Sequence, residues 1–308
     1  MRTTAALVLA AVATLVAALV PVAASARASD GTSGVPTFVT IPPQAHFVER
    51  VGGEFVEVGV LVQPGQSPHA YEPTPRQMAS LAEADVYFTV GLPFEESLVR
   101  RIRSLAPELE VVATDYPVPK RSMEDTEADD EHAGHHDDDR HGGRLDPHVW
   151  LDPDLVKIQA RVIAETLERL DPDHAAAYES NLEKFVAELD SLDAEISEAL
   201  EPLAGSRLYV FHPSFGYFAD AYGLTQVAVE TGGKEPGARQ LAQLIKRARA
   251  DSVRVIFVQP QFSSRAAQAL AEAIDGAVVP IDPLARDYTR NLLDIANKVR
   301  RGLEGNRG

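Results

Sequence analysis

Three histidines far apart in the chain have the local context of metal ligands. Each lies next to a proline in a short segment that is typical of turns: Pro68-His69, Pro147-His148 and His212-Pro213. A proline ring restricts the backbone around it, so such a histidine has lost conformational freedom before any ligand binds. A single histidine is more simply explained as a hydrogen-bonded core or surface residue. The repeated pattern predicts imidazole ligands for a metal ion.

Asp282 is a fourth candidate ligand. It ends an apolar run, and Pro283 follows it. Three imidazoles and one carboxylate form a tetrahedral N3O shell of the kind that zinc accepts, with Zn–N distances of about 2.0–2.1 Å. The residue types therefore predict a zinc site made of His69, His148, His212 and Asp282.

Residues 124–141 combine histidines with many acids. The segment holds nine acidic residues, one arginine and four histidines, which are His132, His135, His136 and His141. Its net charge of −8 is close to half of the −17 of the whole chain. Because it has almost no apolar residue, the composition predicts a disordered loop. Imidazoles mixed with carboxylates favour weak metal binding, and a merely solvated acidic loop is the alternative.

The first 28 residues have the order of a secretory signal peptide. Arg2 precedes the apolar residues 5–20, and small residues follow as far as Ala28. We expect cleavage after Ala26 or Ala28 and export to a periplasm-like space. An uncleaved membrane anchor is the alternative, but the apolar run is short for a bilayer and ends at Pro21.

The amino-acid composition limits which cellular compartment and which binding partners we expect. The chain of 308 residues has no cysteine, so we expect no disulfide, no thiolate metal site and no cysteine for a lipid anchor. The exported protein should then be free in the periplasm. A net charge of −17 argues against nucleic acid as a partner and is compatible with a cation ligand.

Strand-like and helical patterns alternate along the chain. Strands are predicted at 36–41, 55–61, 86–90 and 110–112 in the first half, and at 207–211, 225–229, 253–258 and 277–281 in the second. Helices are predicted at 74–84, 152–170, 237–250 and 264–274. This alternation predicts an α/β fold with two lobes, each with a central parallel sheet flanked by helices.

One long rigid helix is predicted to join the two lobes. Apolar residues recur every three or four positions over 173–200, with no internal proline or glycine. Roughly thirty helical residues span ~45 Å, and such a helix should restrain wide opening of the lobes. The predicted boundaries are a signal peptide at 1–28, an N-terminal lobe at 35–171, a linker helix at 172–203 and a C-terminal lobe at 204–308.

A series of short motifs resembles the zinc and manganese solute-binding proteins of ABC importers, the ZnuA-like family. The likeness extends over nearly all of the mature sequence. The motifs are Ile41-Pro42-Pro43, Arg50-Val51-Gly52-Gly53, Pro68-His69-Ala70-Tyr71-Glu72-Pro73, Asp146-Pro147-His148-Val149-Trp150-Leu151, His212-Pro213-Ser214-Phe215-Gly216-Tyr217-Phe218, Glu235-Pro236-Gly237, Val255-Ile256-Phe257-Val258-Gln259-Pro260-Gln261-Phe262 and Asp282-Pro283-Leu284.

The resemblance implies a metal site in the cleft between two lobes. It implies His69 and His148 as ligands from the N-terminal lobe, and His212 and Asp282 as ligands from the C-terminal lobe. The acidic loop at 124–141 also resembles a feature of zinc-importing members. Manganese-type members have a carboxylate at the position of His212, so the imidazole here favours Zn²⁺ over Mn²⁺.

Four other residues lie in or near these motifs. Gln259 stands where many relatives have glutamate, and the sequence assigns it no role. His46 is expected behind the ligands or at the surface. Glu72 and Asp146 are close enough in sequence to orient a ligand ring, although a turn or capping role fits them equally.

The implied function is a periplasmic solute-binding protein that captures Zn²⁺ and delivers it to an inner-membrane ABC permease. We expect a monomer without enzymatic activity. Two alternatives stay open: the same fold with Mn²⁺ or Fe²⁺, and a secreted zinc hydrolase in which Asp282 acts as a base beside a zinc-bound water. The sequence has no His-Glu-x-x-His motif, which argues against the hydrolase.

Overall fold

Two parallel four-stranded sheets form the framework of the computed structural model, which describes residues 34–123, 145–230, 234–263 and 265–305. The strands of the N-terminal sheet are β1 (Val35–Val39), β2 (Val56–Val60), β3 (Val86–Thr89) and β4 (Glu110–Ala113), in the order β2-β1-β3-β4. The strands of the C-terminal sheet are β5 (Arg207–Val210), β6 (Thr225–Ala228), β7 (Val255–Val258) and β8 (Ala277–Pro280), in the order β6-β5-β7-β8.

The predicted strands and the α/β class are confirmed. Each observed strand begins and ends within two residues of its predicted bounds. All neighbouring strands pair in parallel. In both sheets the strand order reverses beside the first strand, and open α/β sheets bind ligands outside the carboxyl ends of the strands at such a point.

Helices connect the strands in the described part of the chain. They are α1 (Pro42–Gly52), α2 (Pro75–Ala82), α3 (Pro93–Leu105), α4 (Pro153–Leu170), α5 (Ala175–Leu200), α6 (Gly216–Ala221), α7 (Ala238–Ala250), α8 (Arg265–Ala273) and α9 (Tyr288–Glu304). The first four begin at a proline, whose fixed φ suits the first helical position. None of the described helices is long and apolar enough to cross a membrane.

The long helix α5 matches its prediction. It has 26 residues, and the 3-10 turns Pro172–His174 and Glu201–Leu203 extend the helical path at both ends. One side of α5 is buried through Tyr178, Phe185, Leu189, Leu192, Ile196 and Leu200. That side packs against α1 and α4 from the N-terminal half and against α9 from the C-terminal end. The helix is therefore held along its length by both halves of the chain.

A shared hydrophobic core restrains the two lobes. One apolar cluster contains Phe88 of β3, Phe185 of α5 and Phe257 of β7. Ring contact between Phe47 of α1 and Tyr288 of α9, with centroids 4.9 Å apart, continues this core across the two halves. A wide opening of the lobes would expose apolar surface to water, which costs about 25 cal/mol of free energy per Å². The domain boundaries after residues 171 and 203 remain a prediction.

Candidate metal centre

Two of the three predicted histidines follow the carboxyl ends of strands. His69 is in the 3-10 turn Pro68–Ala70 after β2, and His148 directly precedes the 3-10 turn Val149–Leu151. His212 comes two residues after the end of β5. The carboxyl edge of each sheet therefore contributes one histidine, and the segment after residue 145 contributes the third.

The structure brings these three side chains together. One potential ligand atom from each of His69, His148 and His212 lies within 4.8 Å of the others. The Nε2 atoms of His69 and His212 are 2.9 Å apart. Two nitrogens bound to one tetrahedral zinc at ~2.0–2.1 Å would be about 3.3 Å apart. The imidazoles of His69 and His212 therefore need only a small adjustment to share an ion.

Asp146 orients the ring of His148. Its Oδ1 accepts hydrogen bonds from Nδ1 of His148 at 2.7 Å and from the backbone N–H of His148 at 3.0 Å. Because an ionised carboxylate only accepts, Nδ1 carries the proton and Nε2 keeps its lone pair for a metal. His148 is 2% exposed, so the arrangement is held in the protein interior. This is the orienting role that the sequence offered for Asp146.

Glu230 does the same for His212, and sequence reasoning missed it. Its Oε1 accepts from Nδ1 of His212 at 2.6 Å, and Glu230 itself is 4% exposed. Burial lowers the pKa of His212, Glu230 opposes that shift, and His148 adds to it. The net lowering keeps the imidazole neutral, as a metal ligand must be.

Gln259 holds the backbone of His212. Its Oε1 accepts from the backbone N–H of His212 at 3.0 Å, and its Nε2 donates to the carbonyl oxygen of His212 at 2.9 Å. An amide side chain can do both, whereas an ionised glutamate could only accept. The structure thus gives a role to a residue for which the sequence had none.

Strand register explains why these partners meet. Val210 of β5 is paired with Ala228 of β6 on one side and with Phe257 of β7 on the other. His212, Glu230 and Gln259 each lie two residues beyond these paired positions. They are therefore at the same level past the end of the sheet. Both partners are the polar residue that follows an apolar strand, which is the signal by which the sequence could have suggested them.

Asp282 lies outside the three-histidine group among the described residues. Its Oδ1 accepts from Nε2 of Gln261 at 2.7 Å and from the backbone N–H of Leu284 at 3.0 Å. These bonds engage one carboxylate oxygen in holding the local turn. Asp282 as a fourth ligand stays a prediction.

Replacing Asp282 by alanine should weaken zinc binding by about tenfold or less. Water can take the position of one oxygen ligand, while the three imidazoles stay in place. Isothermal titration with a competing chelator measures the change. Asp294→Ala is the matched control, because that carboxylate pairs with Lys298 on α9. A loss of more than about 100-fold in Asp282→Ala would make the carboxylate as important as an imidazole.

The structure describes only some of the other residues singled out in the sequence. His132, His135, His136 and His141 are outside the described residues. His46 packs between helices, with its ring centroid 5.9 Å from that of Phe185 and 6.3 Å from that of Tyr288. Glu72 is exposed at a cavity of about 290 Å³ that opens beside His69.

Trp150 connects the candidate site to the segment after Asp282. Its ring centroid is 5.2 Å from that of His148, and its indole N–H donates to the carbonyl oxygen of Pro283 at 2.8 Å. It is the chain's one tryptophan. Its fluorescence should therefore report directly on metal binding at His148.

Comparison with known proteins agrees with this architecture. The family model described as "Zinc-uptake complex component A periplasmic" matches residues 38–301. The high-affinity zinc uptake system protein ZnuA of Paracoccus denitrificans is 34% identical over 257 residues, which cover 74% of this chain and 75% of that protein. The corresponding ZnuA of Yersinia pestis is 27% identical over 259 residues, with 80% and 81% covered.

Two solved structures share the fold. A crystal structure of ZnuA has a TM-score of 0.80 and 37% identity, and the match covers 88% of this chain and 100% of that one. A ZnuA deletion mutant lacking residues 138–173 of its own chain, with zinc bound, has a TM-score of 0.79 and 37% identity. That match covers 88% of this chain and 98% of the mutant.

Proposed function

The chain belongs to the ZnuA family of periplasmic zinc-uptake components, and from this we propose that it captures Zn²⁺ and delivers it to the permease of an ABC importer. The observation that carries the proposal is the convergence of three imidazoles, two of them oriented by buried carboxylates. In the periplasm the protein would act as the receptor of the importer.

We propose His69, His148 and His212 as the zinc ligands, with Asp282 as the fourth. Neutral imidazoles suit zinc, whereas Mn²⁺ prefers more oxygen ligands. Asp146 and Glu230 support this choice, since each fixes the tautomer that leaves Nε2 available. Zinc is the cargo in this proposal, so the site must both bind the ion and release it to the permease.

The proposed cellular location and oligomeric state are based on the sequence. We infer that residues 1–28 are removed on export and that the mature protein is a monomer free in the periplasm. The zinc-binding lipoprotein AdcA of Streptococcus pneumoniae is a relative with 26% identity. This chain has no cysteine as an attachment point for a lipid.

Metal analysis of protein purified without chelator or metal-affinity resin tests the function. We expect one tightly bound zinc per chain and a preference for Zn²⁺ over Mn²⁺ and Fe²⁺ in competition followed by Trp150 fluorescence. A preference for Mn²⁺ or Fe²⁺ would change the cargo. Hydrolysis of esters, amides or phosphates by the zinc-loaded protein above the buffer rate would favour the hydrolase alternative.

Deleting residues 124–141 should leave one tight zinc site and remove additional weak zinc equivalents. The deletion keeps the pairing of Ser122 with Leu145 at the base of the segment. The composition of the segment predicts exposed histidines, which protonate near their reference pKa of about 6.5, whereas burial lowers the pKa of His212. Protons therefore compete for the segment first as pH falls, and the weak equivalents should be lost at higher pH than the tight site.

Titration calorimetry at several pH values measures both classes of site. A variant with serine at His132, His135, His136 and His141 is the matched control, because it keeps the length and the acidic residues of the segment. Loss of the tight site in the deletion variant would place the segment in the primary coordination shell and contradict the ligand set proposed above.

A further inference from the structure

Arg121 contacts segments that flank proposed ligands in both halves of the chain. Its Nη1 lies 4.0 Å from Oδ2 of Asp146, the carboxylate that orients His148. Its Nε lies 3.3 Å from Oδ2 of Asp220 in α6, the helix that follows His212. Its Cζ is 5.9 Å from the ring centroid of Tyr217, also in α6. The side chain of Arg121 is 16% exposed, so the guanidinium is mostly buried.

Hydrogen bonds of the backbone and of the Tyr217 hydroxyl join the same three segments. The backbone N–H of Arg121 donates to Oη of Tyr217 at 3.1 Å, and that hydroxyl donates to the carbonyl oxygen of Asp146 at 3.0 Å. The backbone N–H of Asp146 donates to the carbonyl oxygen of Arg121 at 3.0 Å. These three hydrogen bonds form a ring that joins helix α6 to the segment of His148.

Gly216 allows this close approach. A Cβ atom at Gly216 would overlap the guanidinium of Arg121 and would lie 2.8 Å from Oδ2 of Asp146. Any larger residue at the start of α6 would push the guanidinium away from the carboxylate. The absence of a side chain at Gly216 makes room for the contact between Arg121 and Asp146.

The contact matters because Asp146 has two different tasks. Its Oδ1 orients His148, while its Oδ2 faces the guanidinium. The guanidinium places a positive charge 4.0 Å from the Asp146 oxygen that does not bond His148, and this attraction favours the carboxylate orientation that keeps one oxygen on each partner. Residues that hydrogen-bond to a metal-binding imidazole set its orientation. Replacing such a residue typically lowers metal affinity by roughly 10–100-fold.

We propose that Arg121 is a positioning residue for zinc. It holds Asp146, and through it His148, against helix α6, so that imidazoles from the two lobes are set at ligand distance before the ion binds. This inference rests on the proposed zinc-binding function. It assigns no direct contact between Arg121 and the metal.

Arg121→Gln should weaken zinc binding about tenfold and speed zinc dissociation, at the lower end of the range for residues behind a ligand. Loaded with Co²⁺ instead of zinc, the variant should show altered d–d absorption, since those bands depend on ligand geometry. A purely structural role would lower the unfolding temperature without changing the bands.

Arg50→Gln is the matched control. Arg50 also pairs with a carboxylate, Glu188, and lies 6.0 Å from the ring centroid of Phe185, but its partners are on α5. Its zinc affinity and Co²⁺ spectrum should equal those of the unsubstituted protein. If Arg121→Gln does not fold, Arg121→Met, which keeps the apolar stem over Tyr217, replaces it in the same measurements.

A double-mutant cycle tests whether Arg121 acts through Asp146. In the background of Asp146→Asn, adding Arg121→Gln should reduce zinc affinity by less than about twofold, because coupled residues are non-additive. Unchanged affinity and Co²⁺ spectrum in the single Arg121 variant, or full additivity in the cycle, would overturn the inference. Failure of the unsubstituted protein to bind zinc would instead overturn the proposed function.

Discussion

Alanine at His69, His148 or His212 should lower zinc affinity by more than about 100-fold, beyond the roughly 10–100-fold typical of residues behind a ligand. Each substitution removes one of three imidazoles whose ligand atoms lie within 4.8 Å of one another. Water can occupy the vacated position but binds zinc more weakly than an imidazole held in place. Competition titration with a chelator of known affinity measures the loss.

The stability of the metal-free variants should differ. His69 is only half-buried, so His69→Ala should leave the unfolding temperature unchanged. His212→Ala leaves the buried carboxylate of Glu230 without its hydrogen-bond donor, which typically costs about 1–3 kcal/mol. Circular dichroism during heating separates this effect from the loss of zinc.

His174→Ala is the control for these variants. His174 pairs with Asp171 and stacks on Phe55 with ring centroids 3.9 Å apart, beside the start of α5. Its replacement should not change zinc affinity. Near-native affinity in any one of the three ligand variants would remove that histidine from the coordination shell.

The second largest effects should follow from removing the carboxylates behind the ligands. Glu230→Gln should weaken zinc binding by about tenfold and Glu230→Ala by up to about 100-fold. The amide of glutamine can still accept from Nδ1 of His212 but has no charge to increase the basicity of the ring. Alanine removes the acceptor, so that the ring is free to rotate or to change tautomer.

Asp146→Asn should have an effect close to that of Glu230→Gln, because Asp146 has the same relation to His148. Measurement of all variants at one pH lets the change report on ligand orientation and basicity. Glu188→Gln is the control, since that carboxylate pairs with Arg50 and accepts from Thr289 Oγ1 between helices. Equal zinc affinity in Glu230→Gln, Glu230→Ala and the unsubstituted protein would show that Glu230 does not orient a ligand.

Local patterns in the sequence determined the strands and five of the described helices. Strands appear as short apolar runs, and α5 appears as apolar residues every three or four positions. Such patterns need only residues that are close in sequence. Helices α1, α3, α6 and α9 were not predicted, although α9 buries residues such as Tyr288, Leu292, Ile295 and Val299 at helical spacing.

The sequence also indicated the three histidines through their proline neighbours and the motifs that resemble the ZnuA-like family. It did not indicate that Oδ1 of Asp282 would be engaged by Gln261 and Leu284. These contacts depend on the path of the backbone after β7 and β8. The chemistry of a residue type can be read locally, whereas its distance from another ligand cannot.

Only the tertiary structure decided which groups stand behind the ligands. Glu230 is 18 residues from His212 along the chain and Gln259 is 47 residues away, yet both contact it. They meet because β5 lies between β6 and β7 in the sheet, in a register that brings residues beyond the strand ends to one level. Strand order and register arise from packing over the whole chain, so no segment of the sequence encodes them alone.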